Sequence, residues 1–173
     1  LSYVALRQGD AVGLCTFAAD QPRYLSPVKG TAQLNVLLNA VYDLDSTRRS
    51  SDYLTATTQL LARQKRRALV VLVTNLRDED DEDLLSAVKR LSQQHQVLVA
   101  SLRERILDTT RQQPVQTVED ALIYCGTVDY LNARAELHER LSAHGVPVVD
   151  ARPGDLGAQL VTHYLGWKRA GKL

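Results

Sequence analysis

Hydroxyl, amide and carboxylate side chains gather at three points of this sequence where they could share a ligand. Ala18, Ala19 and Asp20 follow the apolar run 11–17 (AVGLCTF). The segment 48–52 (RRSSD), which includes Ser50, Ser51 and Asp52, precedes a helical pattern. Thr74, Asn75 and Arg77 follow the most apolar run, 68–73 (ALVVLV). In open α/β sheets ligands bind where strands end at their carboxyl side, so these are the positions to inspect first. Each has a plainer use: Ser51 or Asp52 caps a helix and Asn75 makes a turn. The run DEDDED, from Asp78 to Asp83, suggests Mg²⁺ or Ca²⁺. It lacks the alternating ligands and glycine of a calcium loop, and acids in a first helical turn complement the helix dipole.

Other chemistry finds less support. His138 and His144 are six residues apart and do not share a helix face as a zinc pair would. His95 and His144 close helices, where a cation is favoured by the dipole. Cys15 lies in an apolar run and Cys125 in a helical stretch, with no metal-ligand spacing. A P-loop, a nucleophile elbow and a glycine-rich dinucleotide turn are all missing from the sequence. The basic segments Lys65-Arg66-Arg67 and Lys168-Arg169 are short and not interleaved with aromatics; Trp167 beside the second reads as a helix residue.

The elements that position these groups follow from periodicity. Leu1, Tyr3, Val4 and Leu6 end an amphipathic helix at Gly9. Segments 11–17 and 24–28 read as strands, the second at an edge because of Pro22 and Pro27. Thr31 is expected to cap a helix to about residue 44 that buries Leu34, Leu37, Leu38 and Val41. A second helix spans about 53–64. Residues 68–73 form the strongest strand, apolar on both faces and so expected mid-sheet. The acidic run opens a helix burying Leu84, Leu85, Val88 and Leu91. Residues 96–102 form a strand, and 106–113 are ambiguous. Thr117 caps a long helix to about 144, which Gly126 can interrupt; Gly145 ends it. A short strand at 146–149 and a helix at 158–168 complete the chain. Strands alternating with helices argue a parallel sheet with helices on both faces.

At 173 residues, with 45% hydrophobic and 24% charged, the chain suits one domain with a core that needs no staples. A net charge of +1 provides no field toward nucleic acid or an anionic membrane. Two distant cysteines argue free thiols in a reducing compartment. The apolar runs are too short to span a bilayer, and no leader peptide is visible. The chain starts mid-helix, so an upstream segment is expected to be missing.

Read together, the segments resemble a known family. GDAVGLCTFAADQPRYLSPVKG and LLNAVYDLDSTRRSSDYLTATTQLLARQKRRALVVLVTNL look like the von Willebrand factor A-like region of the bacterial "domain of unknown function 58" proteins. The counterparts are Gly9-Asp10 with Gly13, then Tyr24-Leu25-Ser26-Pro27, Ser51-Asp52-Tyr53, and Arg67 through Asn75. The match runs in order over about residues 1 to 104. The resemblance implies a metal-ion-dependent adhesion site, in which Mg²⁺ takes about six oxygen ligands. The family's threonine position falls on Ser51 and its aspartate position on Asn75, which keeps an oxygen but loses the charge. The Asp-x-Ser-x-Ser loop would lie upstream of Leu1. The expectation is that this chain has no cofactor of its own, with Mg²⁺ left to the intact protein.

The resemblance also implies the larger picture. The expected fold is α/β: an open, mostly parallel, von Willebrand factor A-like and Rossmann-like sheet, one domain over 1–173, its first strand missing. A neighbouring chain, hence a homo-oligomer, or a rearranged segment is expected to fill the gap. The expected function is a non-catalytic protein-interaction domain working with a MoxR-type AAA+ ATPase, cytoplasmic, from a parent anchored in the bacterial inner membrane. It should contact neither nucleic acid nor the membrane. Its surface would comprise Asp20, Ser50, Ser51, Asp52, Thr74, Asn75 and Arg77. One alternative is a Mg²⁺-dependent hydrolase or nuclease using Asp20, Asp52 and the run from Asp78 to Asp83. The other is a purely structural scaffold module.

Overall fold

Gly9 sits at φ +81°, a conformation that costs a glycine little. There it ends α1 (Ser2–Arg7), with Gly9 N–H donating to the Leu6 carbonyl and Asp10 N–H to the Ala5 carbonyl. This paired closure satisfies carbonyls that the helix end would otherwise orphan. The computed structural model describes residues 1–18, 21–44, 51–76 and 81–173. They fall into two compact units, 1–67 and 68–173.

The first unit holds α1, β1 (Val12–Cys15), β2 (Tyr24–Val28), α2 (Gln33–Val41) and α3 (Tyr53–Arg63). β1 and β2 form an antiparallel pair, so the parallel sheet expected to contain them is not what they build. Val12 pairs with Val28 and Leu14 with Leu25, which leaves Ser26 and Pro27 opposite Gly13. That is a bulge, a place where a proline without an N–H is tolerated in a sheet. A Cβ on Gly13 would lie 2.6 Å from the Leu25 carbonyl oxygen, so the close approach demands glycine. Arg23 joins the pair to the end of α2, donating to the Ala40 carbonyl at 2.7 Å and to both Asp43 oxygens at 2.5 and 2.9 Å.

Thr31 does not cap α2. The chain enters that helix through a turn at Gly30, whose carbonyl accepts from Gln33 N–H while that of Thr31 accepts from Leu34 N–H. Backbone groups thus meet the first amides. The buried positions are Gln33 and Leu37, and Leu38 and Val41 are exposed instead of buried. Asp52 does cap α3, accepting from Thr55 N–H at 2.8 Å. Tyr53 then packs its ring 5.5 Å from that of Phe17.

The second unit is α/β with a three-stranded parallel sheet. Its elements are β3 (Leu69–Thr74), α4 (Asp81–Ser92), β4 (Gln96–Leu102), α5 (Arg105–Gln112), α6 (Val118–Ala143), β5 (Val148–Ala151) and α7 (Pro153–Arg169), with strand order β3-β4-β5. The apolar run in β3 was expected mid-sheet, but β4 takes the centre. Val97 through Ser101 are all buried in succession, and successive residues face opposite sides, so both faces are covered around β4. β3 has one strand neighbour among the described residues, and Leu69 to Val73 are half-buried or exposed. α4 buries Leu84, Leu85, Val88 and Leu91 as expected.

Gly126 does not break α6, which runs unbroken from a Thr117–Asp120 capping box to a glycine closure at Gly145. Its second half buries Arg134, Leu137 and Leu141, whereas Val118 and Leu122 in the first half are 79% and 70% exposed. Pro153 starts α7 five residues earlier than the pattern suggested, its fixed φ and missing N–H being harmless in a first turn.

Candidate functional site

The parallel register aligns Thr74 with Ser101 and Ser101 with Asp150. These three residues make one row across the carboxyl end of the sheet, where open α/β folds bind ligands. In-register neighbours of parallel strands project to the same side. On one helical stripe of α6, spaced four residues apart, Arg134 and His138 reach this row and Tyr130 reaches the Leu76 carbonyl just past β3.

Arg134 is the hub. It is 4% exposed, and its Nη2 donates to Ser101 Oγ, to the Leu102 carbonyl at 2.8 Å and to Asp150 Oδ1 at 2.8 Å. Its Nη1 donates to the Leu76 carbonyl at 3.3 Å, and the Tyr130 hydroxyl donates to the same oxygen at 2.9 Å. Removing a charge from water is costly, and these bonds at both Nη atoms offset it, although Nε is buried without a partner among the described residues. Further out, Arg103 Nη1 lies 3.8 Å from Asp150 Oδ2, and Arg152 donates to Asp108 Oδ2 at 2.9 and 2.6 Å. The Arg152 hydrogen bonds hold the Asp108 carboxyl below its ordinary range, with Arg103 and Arg111 adding to the effect.

Ser101 and His138 resemble half of a nucleophilic pair, with Oγ and Nε2 at 3.3 Å. Burial pushes the His138 imidazole down, Asp150 opposes that shift, and Arg134 and Arg103 reinforce it. The ring is therefore neutral at neutral pH and can accept the Ser101 proton. Ser101 itself is wholly buried, however, and its oxygen is occupied by Arg134. An activated nucleophile needs its base within reach and its own oxygen free, and here the oxygen is held by Arg134.

The residues singled out in the sequence are distributed as follows. Asp20, Ser50 and Arg77 lie outside the described residues, as does the acidic run from Asp78 through residue 80. Ser51 and Asp52 belong to the first unit, where the Asp52 carboxylate serves as the α3 cap and is lowered by the Thr55 amide. Thr74 and Asn75 belong to the second. Thr74 is 8% exposed and shapes the loop from within, and Asn75 stands exposed. Among the described residues no three His, Cys, Asp or Glu side chains gather closely enough to hold a metal ion. Among the described residues, Ser51 and Asn75 offer only neutral oxygens, whereas a hard dication is held mainly by anionic ones.

His95 was expected to be a cation at a helix end. It is instead 4% exposed, its ring nitrogens have no hydrogen-bond partner among the described residues, and burial lowers its pKa. Cys15 is half-buried with its thiol pushed up by burial, against a smaller pull from Arg63; Cys125 is exposed, and both are free. Sequence reading missed Ser101, Arg134 and Asp150, and weighed His138 only as a zinc ligand. Asp150 was passed over because the last strand was placed two residues early. The four-residue spacing of Tyr130, Arg134 and His138 was the available signal: polar groups on the same stripe as the core leucines.

Residues 1–146 match the model of the family described as Protein of unknown function DUF58, and the chain belongs to that family. The matched stretch takes in the first unit and the second through α6, leaving β5 and α7 beyond it. The search of curated proteins found no match. The search of solved structures also found none. No helix among the described residues is long and apolar enough to cross a membrane.

Proposed function

We propose that this chain is a non-catalytic, von Willebrand factor A-like interaction domain whose partner, a MoxR-type AAA+ ATPase, docks at the carboxyl end of the parallel sheet. The observation that carries this reading is the state of the polar groups there. Arg134 is engaged with Ser101 and Asp150, and Arg152 with Asp108, which stiffens the sheet end, while the adjoining Asn75 is exposed. A rigid platform with an exposed loop suits recognition. Catalysis would need a reactive group held open to substrate, and Ser101 is enclosed. The hydrolase alternative loses support at Asp52, whose carboxylate is spent on a helix cap. Membrane anchoring, by this reading, belongs to the parent protein.

The test is capture of purified ATPase of that type. Reversing charge with Arg77→Glu should weaken capture with the fold intact, as should Asn75→Lys at the exposed position just past the second unit's β3. Unchanged capture by both variants would sink the surface assignment. A second reading, self-association, is favoured by β3, which has one strand neighbour among the described residues and in which Val73 is 47% exposed. Unpaired strand edges are templates for pairing. Light scattering that reports only monomer at tens of micromolar would exclude it.

A further inference from the structure

Two side chains of one helix converge on a single backbone oxygen in the loop that follows β3. Tyr130 Oη and Arg134 Nη1 both donate to the Leu76 carbonyl, at 2.9 and 3.3 Å. Leu76 is itself 2% exposed and follows directly on Asn75. The same guanidinium is tied to β4 through Ser101 and the Leu102 carbonyl and to β5 through Asp150. One buried group thus references the β3 loop to both other strands. A carbonyl accepts two hydrogen bonds through its two lone pairs, and the peptide plane that carries it cannot turn without breaking both.

We propose that Tyr130 and Arg134 are positioning residues for Asn75 and Leu76 just past β3, fixing the Leu76 carbonyl so that the adjoining Asn75 side chain is presented from a fixed backbone. This rests on the interaction reading above. It adds that recognition depends on a helix some 55 residues downstream, through contacts 54 and 58 positions away in sequence. The polar stripe on α6 then has a use beyond burial: leucines at these positions would pack against the sheet and leave the Leu76 carbonyl without a donor.

The test is hydrogen exchange on the full chain. Tyr130→Phe removes one hydroxyl and leaves the ring and the buried charge in place, so the domain should still fold. Losing one hydrogen bond to a buried carbonyl should speed exchange at the Asn75 and Leu76 amides about fivefold, with Val97 to Ala100 unchanged. Arg134→Lys, keeping the charge but losing the fork, should speed the same amides further. Both variants should weaken capture of the ATPase several-fold, with the melting temperature lowered by only about 2–4 °C for Tyr130→Phe. Loop exchange that does not move, or that rises only in step with β4, overturns the proposal. If the unmodified chain captures no ATPase, the interaction reading fails, and the exchange measurement still decides whether the tether fixes the loop.

Discussion

Gly13 illustrates how a single atom sets a local fold. A methyl group there would stand 2.6 Å from the Leu25 oxygen and 2.9 Å from the Pro27 nitrogen, both backbone atoms with no rotamer to yield. Gly13→Ala should cost about 1–3 kcal/mol, the usual range for overpacking, and lower the urea midpoint of the first unit. An unchanged midpoint would mean that the bulge opens freely. His95 makes the residue-scale case for pH. Its pKa and that of His138 are depressed below the ordinary 6.5 in the folded state. Below 6.5 the unfolded chain takes up protons that the fold refuses, so stability is full above that value and declines as pH falls through it. Urea midpoints measured from pH 8 to 5 should show this decline, and His95→Leu should flatten part of it. A slope identical in the variant would show that His95 is not a source.

At the scale of elements, α6 is two helices in energetic terms. Leu141 is fully buried and Leu122 is 70% exposed. Leu141→Ala should cost about 2–5 kcal/mol, and Leu122→Ser less than about 1 kcal/mol, read by urea denaturation. Comparable losses would contradict the described burial. The sequence was most legible where local rules decide: the cap at Asp52, the capping box at Thr117, the buried leucines of α4 and the glycine closures at Gly9 and Gly145. Those depend on residues within one turn of each other. It was least legible where distant pairing decides. The apolarity of β3 says that the strand can be buried, but strand order, which put β4 in the centre, is not written in either segment. Nor does any local pattern say that residues 12–15 would pair antiparallel with 24–28. The Arg134 hub was hidden for the same reason, since its acceptors lie 16 to 58 residues away.

For the molecule as a whole, the metal question has a direct measurement. The adhesion-site reading of Ser51 and Asn75 would need a dication, and the described residues supply no cage of anionic oxygens. Thermal unfolding in Mg²⁺, in Mn²⁺ and in EDTA should therefore give the same melting temperature, because a ligand that stabilises must bind the folded state. A saturable rise would show that oxygens converge after all and would return the hydrolase reading to contention. The family match runs through both units, so neither unit alone is the unit of relatedness. The unequal thiols give such experiments an optical entry. Thiolate is the form that attacks an electrophilic dye, and burial at Cys15 suppresses both its ionisation and its access, while Cys125 is open to solvent. A short maleimide reaction at neutral pH should place one fluorophore on α6 and spare the strand, turning the native sequence into its own reporter of docking.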